Sequence, residues 1–377
     1  MLDPNLNRTS EHISRASGRL GKSPLAMSWR LVLLVAFLAG MSAIDYRSAN
    51  ASDPTFKQPI VLPRDNAMHP WAHTEWWYVV GHLRDSSGQA FGFETTLFKF
   101  NHLTVPGSAT QLAIDRADVA LTDVSHKRFL SSVSYLEPGL SSIALSSSNF
   151  SERLGGDRIW ASRSLIHLQS TTSKAALRLT MSVSRPAILE GGTGIVPMGG
   201  KGFSYYYSYP NLSIHGRVLY QGVWRAVTGT GWLDHQWGNW KWPNIRGWTW
   251  GAFQINNGVD FSASSFRAVG GALHGVTVST PNAKQKTFSA VTFTPTGHWT
   301  SPTDVRYGSG WIVTIPAARA RLIVKPLVLA QEVYDHTFPG ASYWEGDCSV
   351  SGTYENRPVS GQAYMELVGG SRPFQVP

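Results

Sequence analysis

The sequence predicts an all-β protein built from two tandem antiparallel domains. Three observations carry this reading: apolar residues alternate with period two, glycine and proline punctuate the chain at hairpin spacing, and an ordered set of segments recurs. Leu177, Leu179, Met181 and Val183 share one face, with Arg178, Thr180 and Ser182 on the other. Ala117, Val119 and Leu121 alternate likewise with Asp118, Ala120 and Thr122. Period two belongs to a pleated strand, whose side chains point to opposite faces in turn. Ser87-Gly88 and Asn257-Gly258 stand between aromatic-rich runs, as hairpin turns do. No helical period is sustained beyond residue 51, which suits strands closed into barrels or sandwiches.

The repeat supplies the domain plan. Ser204-Tyr205-Tyr206 leads through Leu212-Ser213-Ile214-His215-Gly216 to Gly229-Thr230-Gly231-Trp232-Leu233-Asp234. Ser342-Tyr343-Trp344 leads in the same order through Cys348-Ser349-Val350-Ser351-Gly352 to Gly361-Gln362-Ala363-Tyr364-Met365-Glu366. The front ends echo each other too, Glu75-Trp76-Trp77-Tyr78 running over the Gly88 turn to Lys99 and Gly247-Trp248-Thr249-Trp250 over the Gly258 turn to Arg267. Domains are expected at residues 52–240 and 241–377, with Trp76 equivalent to Trp248 and Asp234 to Glu366.

An export signal is expected at residues 1–51, with Met27 as an alternative start. Residues 31–43 are uncharged and follow Arg30. Such a stretch is short for a bilayer span and suits a signal-peptide core. Ala49-Asn50-Ala51 offers small residues for cleavage before Ser52. The mature protein is therefore expected outside the cytoplasm, periplasmic or extracellular, with no membrane span.

Charged residues make up 15% of the 377 and aromatics 12%, with 15 Trp. So few charges exclude a coiled coil or a disordered chain, and so many rings suit lined cavities. The first 51 residues hold six Lys/Arg and three Asp/Glu, which lowers the net charge from +9 to +6 beyond them. No Lys/Arg block occurs in that remainder, so nucleic acid is not an expected partner. The single Cys348 excludes an internal disulfide and reads as a small buried hydrophobe. The sequence has no Gly-x-Ser-x-Gly elbow, Walker-type loop or Cys/His cluster. No cofactor or metal is expected. The glycines at residues 191–194 and 199–202 read as mobile loop.

The richest patch for chemistry is Trp232-Leu233-Asp234-His235-Gln236-Trp237. In a strand, Asp234 and Gln236 face one way while His235 and Trp237 face the other. An acid beside a group that titrates near neutrality is what proton transfer requires. The second repeat keeps the frame but has Leu367 in place of His235, so the histidine serves something particular to the first copy. That is either chemistry or a hydrogen bond to a loop at the domain junction. In the second patch, Glu75 lies among Trp76, Trp77 and Tyr78. Burial there would raise its pKa and make it a proton donor; pairing with Lys99 or Lys201 is the alternative. His69 and His73 have a spacing that serves metals on helices, but Pro70 argues against a helix. The aromatics Tyr205, Tyr206, Tyr207, Tyr209, Trp242, Trp248, Trp250 and Trp344 divide between core and an apolar pocket.

Several segments resemble the AttH-like and carotenoid 1,2-hydratase (hydroxyneurosporene synthase) group of lipocalin-like proteins. They are residues 73–83, 200–208, 231–237, 247–250, 343–346 and 361–367. The resemblance implies two lipocalin-like β-barrels and a ligand cavity around the first domain and the junction. Hydratase members add water across an isolated double bond of an acyclic carotene by protonation and capture of the tertiary cation. Their His-x-Trp resembles His235-Gln236-Trp237. Their Tyr-x-Asp, which supplies the acid, falls near Ser262 and Ser264 here, with Asp260-Phe261 the nearest substitute. Other relatives are pericyclic cyclases. The resemblance thus implies an exported lyase or isomerase-like enzyme acting on a polyene, terpenoid or similar hydrophobic small molecule. Asp234, His235 and Glu75 would handle protons, while Trp76, Trp77, Tyr205, Tyr206, Trp237, Trp248 and Trp250 would bind substrate. The alternative is a non-catalytic carrier. On the enzyme reading, His235→Ala removes turnover for the stability cost of one hydrogen bond, roughly 0.5–1.5 kcal/mol.

Overall fold

The computed structural model describes residues 58–104, 111–136 and 149–375; the expected export signal and its cleavage site lie outside them. Among the described residues two antiparallel sheets account for the strands, one of twelve and one of ten. The path through the first sheet runs Arg128–Leu136, Gln111–Asp123, Ala90–Thr104, Thr74–Asp85, Val223–Asn239, Phe203–Tyr220, Ala175–Val183, Leu165–Thr171, Asp157–Ser162 and Ser151–Leu154. The second runs Gln285–Phe288, Gly271–Ser279, Asp260–Ala268, Ile245–Ile255, Arg357–Val368, Tyr343–Tyr354, Ala320–Pro326, Arg306–Ile315 and Thr292–Thr300. The wiring is the same: in each, the opening strand pairs with the next strand in a hairpin and with the closing strand of its own half. Each sheet curls into a lipocalin-like barrel around its own apolar core.

The alternation decides which residues enter those cores. From Thr74–Asp85, Trp77, Val79 and Leu83 point into the first barrel, and from Ile245–Ile255, Phe253 and Ile255 point into the second. Burying a Leu or Phe of this kind contributes about 1.5–3 kcal/mol. The opposite faces of these strands are buried as well, because the barrels pack back to back. Tyr78, Val80 and Trp232 of one sheet meet Trp250, Ala252 and Tyr364 of the other. Hydrogen bonds cross the seam from the Tyr78 hydroxyl to Glu345 (2.8 Å), from Tyr343 to Asp118 (2.8 Å) and from Thr122 to Gln331 (2.7 Å).

The register bears out the internal repeat. Tyr78 stands opposite Asp234 as Trp250 stands opposite Glu366, and Trp76 opposite Gln236 as Trp248 stands opposite Val368. The glycines shared by the two copies have a steric cause. A Cβ on Gly229 would lie 1.8 Å from the His82 carbonyl oxygen, and one on the equivalent Gly361 would lie 2.2 Å from that of Gln254. One landmark shifts. Tyr206 pairs with Gln236 and Tyr343 with Val368, so Tyr343 matches Tyr206 and not Tyr205. The extra residue of the first copy is absorbed by a bulge between Tyr209 and Leu212.

The glycine-rich segment is likewise corrected. Ile188–Leu189 and Ile195–Pro197 pair with Phe203–Tyr220. Leu189 exchanges two 2.7 Å hydrogen bonds with the Gln285 side chain of the second sheet. The glycines serve tight turns, with φ of +64° at Gly191 and +90° at Gly192. The segment is a strap across the seam.

Candidate functional site

At the seam the two outward faces part around a cavity of about 300 Å³. The first sheet contributes Trp76, Tyr78, Thr96, Phe98, Tyr206, Asp234 and Gln236; the second contributes Trp248, Trp250, Ser264, Phe266, His274 and Glu366. The strap closes one side with Glu190 and Ile195 to Met198. Because equivalent strands face each other, each barrel offers an acid at the same register position, Asp234 and Glu366. Aromatic rings make up much of the wall, and polar side chains including Arg116, Glu190, Asp234, Gln236, His274 and Glu366 are set among them.

Asp234 accepts hydrogen bonds from Ser208 Oγ at 2.5 Å and Trp232 Nε1 at 2.5 Å on Oδ1, and from the Tyr206 hydroxyl at 2.5 Å on Oδ2. Burial and then the charge of Glu190 push its pKa up to about 8, against those three donors. Glu190 is also raised, by burial, although Ser208, Ser262 and Thr277 hydrogen-bond it. Ser208 Oγ lies 2.9 Å from Glu190 Oε1, so one hydroxyl links the two carboxyls. Across the cavity, burial raises Glu366 to about 7, and its one donor there is Trp248 Nε1 at 2.9 Å.

The reverse face of the same strand holds a separate cluster, in which Glu75 and His235 are buried and His69 is partly exposed. His235 Nε2 and His69 Nδ1 both lie 2.8 Å from Glu75 Oε1, and the His69 backbone N–H donates to Glu75 Oε2 at 2.8 Å. Trp77 stacks on His235 with ring centres 4.7 Å apart, and Trp237 stacks on His69 at 4.0 Å. Burial alone would raise Glu75, but the two imidazoles outweigh it and hold the carboxylate down to about 2. Glu75 is therefore an anion and no proton donor, which corrects the expectation from its aromatic neighbours. Neither lysine pairs with it: Lys99 reaches Asp115 (3.5 Å) and Glu152 (3.8 Å), and Lys201 is exposed. His235 is lowered by burial in spite of Glu75.

The strand alternation thus divides the expected site residues. Asp234, Trp76, Tyr206, Trp248 and Trp250 line the cavity. His235, Glu75, Trp77, Tyr205 and Trp237 are not among its lining; they pack on the opposite side of the sheet. The stability expected of His235→Ala changes accordingly. Removing one partner of a buried pair strands the other, so the variant is expected to lose about 3–5 kcal/mol in a urea or thermal melt. Asp260 does not border the cavity either; it pairs with Arg185 at 3.1 Å. Sequence reasoning missed Glu190, which opens the single 3-10 turn Glu190–Gly192 after the two-residue strand Ile188–Leu189, too short for any periodicity. It lies 2.8 Å from Ser262 Oγ.

The sequence profile of the family described as AttH-like matches residues 53–370. No curated protein matches the chain. Among solved structures, one described as a putative AttH from Nitrosomonas europaea is similar with 26% identity and a TM-score of 0.73, covering 85% of this chain and 99% of that one. Kievitone hydratase from Nectria haematococca is similar at 17% identity and a TM-score of 0.69, covering 86% of this chain and 95% of its own. A protein named CghA shares the fold at 10% identity and a TM-score of 0.54, covering 87% and 97%. With the match running from the first described strand to the last, the chain belongs to the AttH-like family.

Proposed function

We infer that the protein is an exported enzyme that protonates an apolar, alkene-bearing small molecule in the seam cavity, leading to hydration or cyclisation. One observation carries this reading: a carboxyl at the cavity wall is obliged to hold a proton. Ser208 has a single hydroxyl hydrogen, yet its oxygen contacts both Asp234 and Glu190. With that hydrogen donated to Asp234, the contact with Glu190 needs a hydrogen from the Glu190 carboxyl, which also borders the cavity. Asp234, which faces the cavity and reaches about 8, is protonated at neutral pH and suited to general-acid work. Transfer to a double bond leaves Asp234 as the carboxylate and the substrate as a cation. Trp76, Trp248 and Trp250 then stabilise that cation through their ring faces, by up to about 2 kcal/mol for a desolvated ring. Water adds its oxygen and returns a proton to the carboxylate; in a cyclisation a second double bond attacks instead, and the new cation loses a proton from carbon to the Asp234 carboxylate. His235 and Glu75 enter this scheme only as support behind the strand.

Hydratase chemistry in a structural neighbour is in keeping with this reading. The test is incubation with acyclic polyenes and terpenoids in deuterated buffer, followed by mass spectrometry. The expected product carries one carbon-bound deuterium, and is either heavier by one water or isomeric with its substrate. Quenching of tryptophan fluorescence by the same compounds, without deuterium uptake, would instead identify a carrier. Export is proposed from residues 31–43 and Ala49-Asn50-Ala51. Intact-mass analysis of exported protein should show a chain beginning at Ser52, and a chain retaining residues 31–43 would favour an uncleaved anchor.

A further inference from the structure

The cluster behind the cavity strand has a hydrogen-bond pattern that an ionised Glu75 facing a neutral His235 leaves unexplained. The Phe150 backbone N–H donates to Asn149 Oδ1 at 2.9 Å, which fixes that amide, and Asn66 Nδ2 donates to the same oxygen at 2.9 Å. Asn66 therefore presents Oδ1 to Tyr207, whose hydroxyl donates to it at 2.5 Å. Tyr207 has no second hydrogen, so its oxygen accepts from His235 Nδ1 at 3.2 Å. His235 then carries its proton on Nδ1 and turns the bare Nε2 lone pair toward Glu75 Oε1, a lone-pair-bearing oxygen 2.8 Å away. His69 Nδ1 points at the same oxygen from 2.8 Å. Something positive belongs where two nitrogens and one carboxylate oxygen converge.

We propose that this point is a divalent metal site, of zinc-binding chemistry, ligated by His69 Nδ1, Glu75 Oε1 and His235 Nε2. The three atoms lie within 4.8 Å of one another. Two imidazoles and a carboxylate are a common set for zinc, with bonds near 2.0–2.2 Å. Tetrahedral angles at such bonds set ligand atoms about 3.3 Å apart, so the present 2.8 Å contacts need open by only about half an ångström. Each ligand is steered from behind, as metal ligands generally are. Tyr207 holds His235, the His69 backbone holds Glu75 Oε2, and Asp65 Oδ1 lies 3.7 Å from His69 Nε2. His69 is the partly exposed member, so the fourth position opens on its side toward water. The second repeat copy has Leu367 where the first has His235, so the site belongs to the first barrel alone.

The test uses the untagged full chain, stripped with a chelator and titrated with Zn²⁺ by calorimetry. One ion per chain is expected. Cobalt in its place should give the visible absorption of a four- or five-coordinate nitrogen–oxygen site. Tyr207→Phe keeps the ring and its packing but releases His235, and is expected to weaken binding about 10–100-fold. His69→Gln, at the exposed edge, should abolish it. Zinc affinity unchanged in both variants, or no binding by the wild type, overturns the proposal. So does nitrogen-15 NMR showing a doubly protonated His235 ring that zinc does not alter, since a buried imidazolium would then supply the positive charge.

Discussion

Asp234→Asn is expected to lower turnover by about 10²–10⁴-fold, the range typical of losing a positioned general acid. Asparagine preserves the side chain's size and keeps an acceptor for Trp232 or Tyr206, but has no proton to give. Ligand affinity, read from tryptophan quenching, should therefore stay within a few-fold of wild type. Turnover of the wild type should fall as pH rises through about 8, where the Asp234 carboxyl ionises, and the residual activity of the variant should lack that limb. Glu366→Gln is the internal comparison, because it alters the equivalent position of the other barrel. Wild-type rates in Asp234→Asn together with loss in Glu366→Gln would transfer the acid role across the seam.

The melting temperature is expected to peak in mildly acidic buffer and to decline toward pH 9. Buried carboxyls dominate this dependence. Asp234 and Glu94 are raised to about 8, and Glu366 and Glu152 to about 7, in every case chiefly by burial. A carboxyl with a raised folded pKa keeps a proton that the unfolded chain has already released. Its stabilising contribution is complete below the unfolded value near 4 and is lost as pH climbs through the folded value. Each group contributes a slope of about 1.4 kcal/mol per pH unit within its window. Glu75 works the other way: lowered to about 2, it stabilises the fold above its ordinary pKa of 4.5 and loses that effect as pH falls toward 2. Calorimetric scans from pH 2 to 9 would show both limbs. Asp234→Asn should flatten the alkaline limb by deleting one ionising group. A melting temperature that climbed steadily from pH 5 to 8 would contradict this account of the seam.

The barrels were legible in the sequence because period-two alternation and turn chemistry are local. In Ala175–Val183 the residues Leu177, Leu179 and Met181 are buried as their spacing says. The seam is where that logic weakens. In Gln111–Asp123, Asp118 and Ala120 are as buried as Ala117 and Val119, because the back of the strand is covered by the other barrel. With both faces buried, alternation separates Asp234 from His235 but does not say which side holds the cavity. The repeat was readable for a steric reason, the close approaches at Gly229 and Gly361. Glu190 was not readable, since its role depends on a strap that folds across to Thr277 and Gln285, more than 80 residues further along the chain. The His69, Glu75 and His235 cluster joins residues 160 positions apart through the pairing of Thr74–Asp85 with Val223–Asn239, which no local pattern announces.

The back-to-back packing also bears on how a ligand enters and leaves. The two sheets have separate hydrogen-bond ladders, and the chain passes from one to the other at the short turn Trp242–Asn244. A guest between them is held by two rigid shells and not by the mouth of a single barrel. A tilt of one shell against the other about that turn would admit or release a guest with every ladder intact. The latch is made of side chains: the Tyr78–Glu345, Tyr343–Asp118 and Thr122–Gln331 contacts. The strap adds the Leu189–Gln285 and Glu190–Ser262 hydrogen bonds, and residence time in such a clamp can be tuned at these pairs without touching either hydrophobic core.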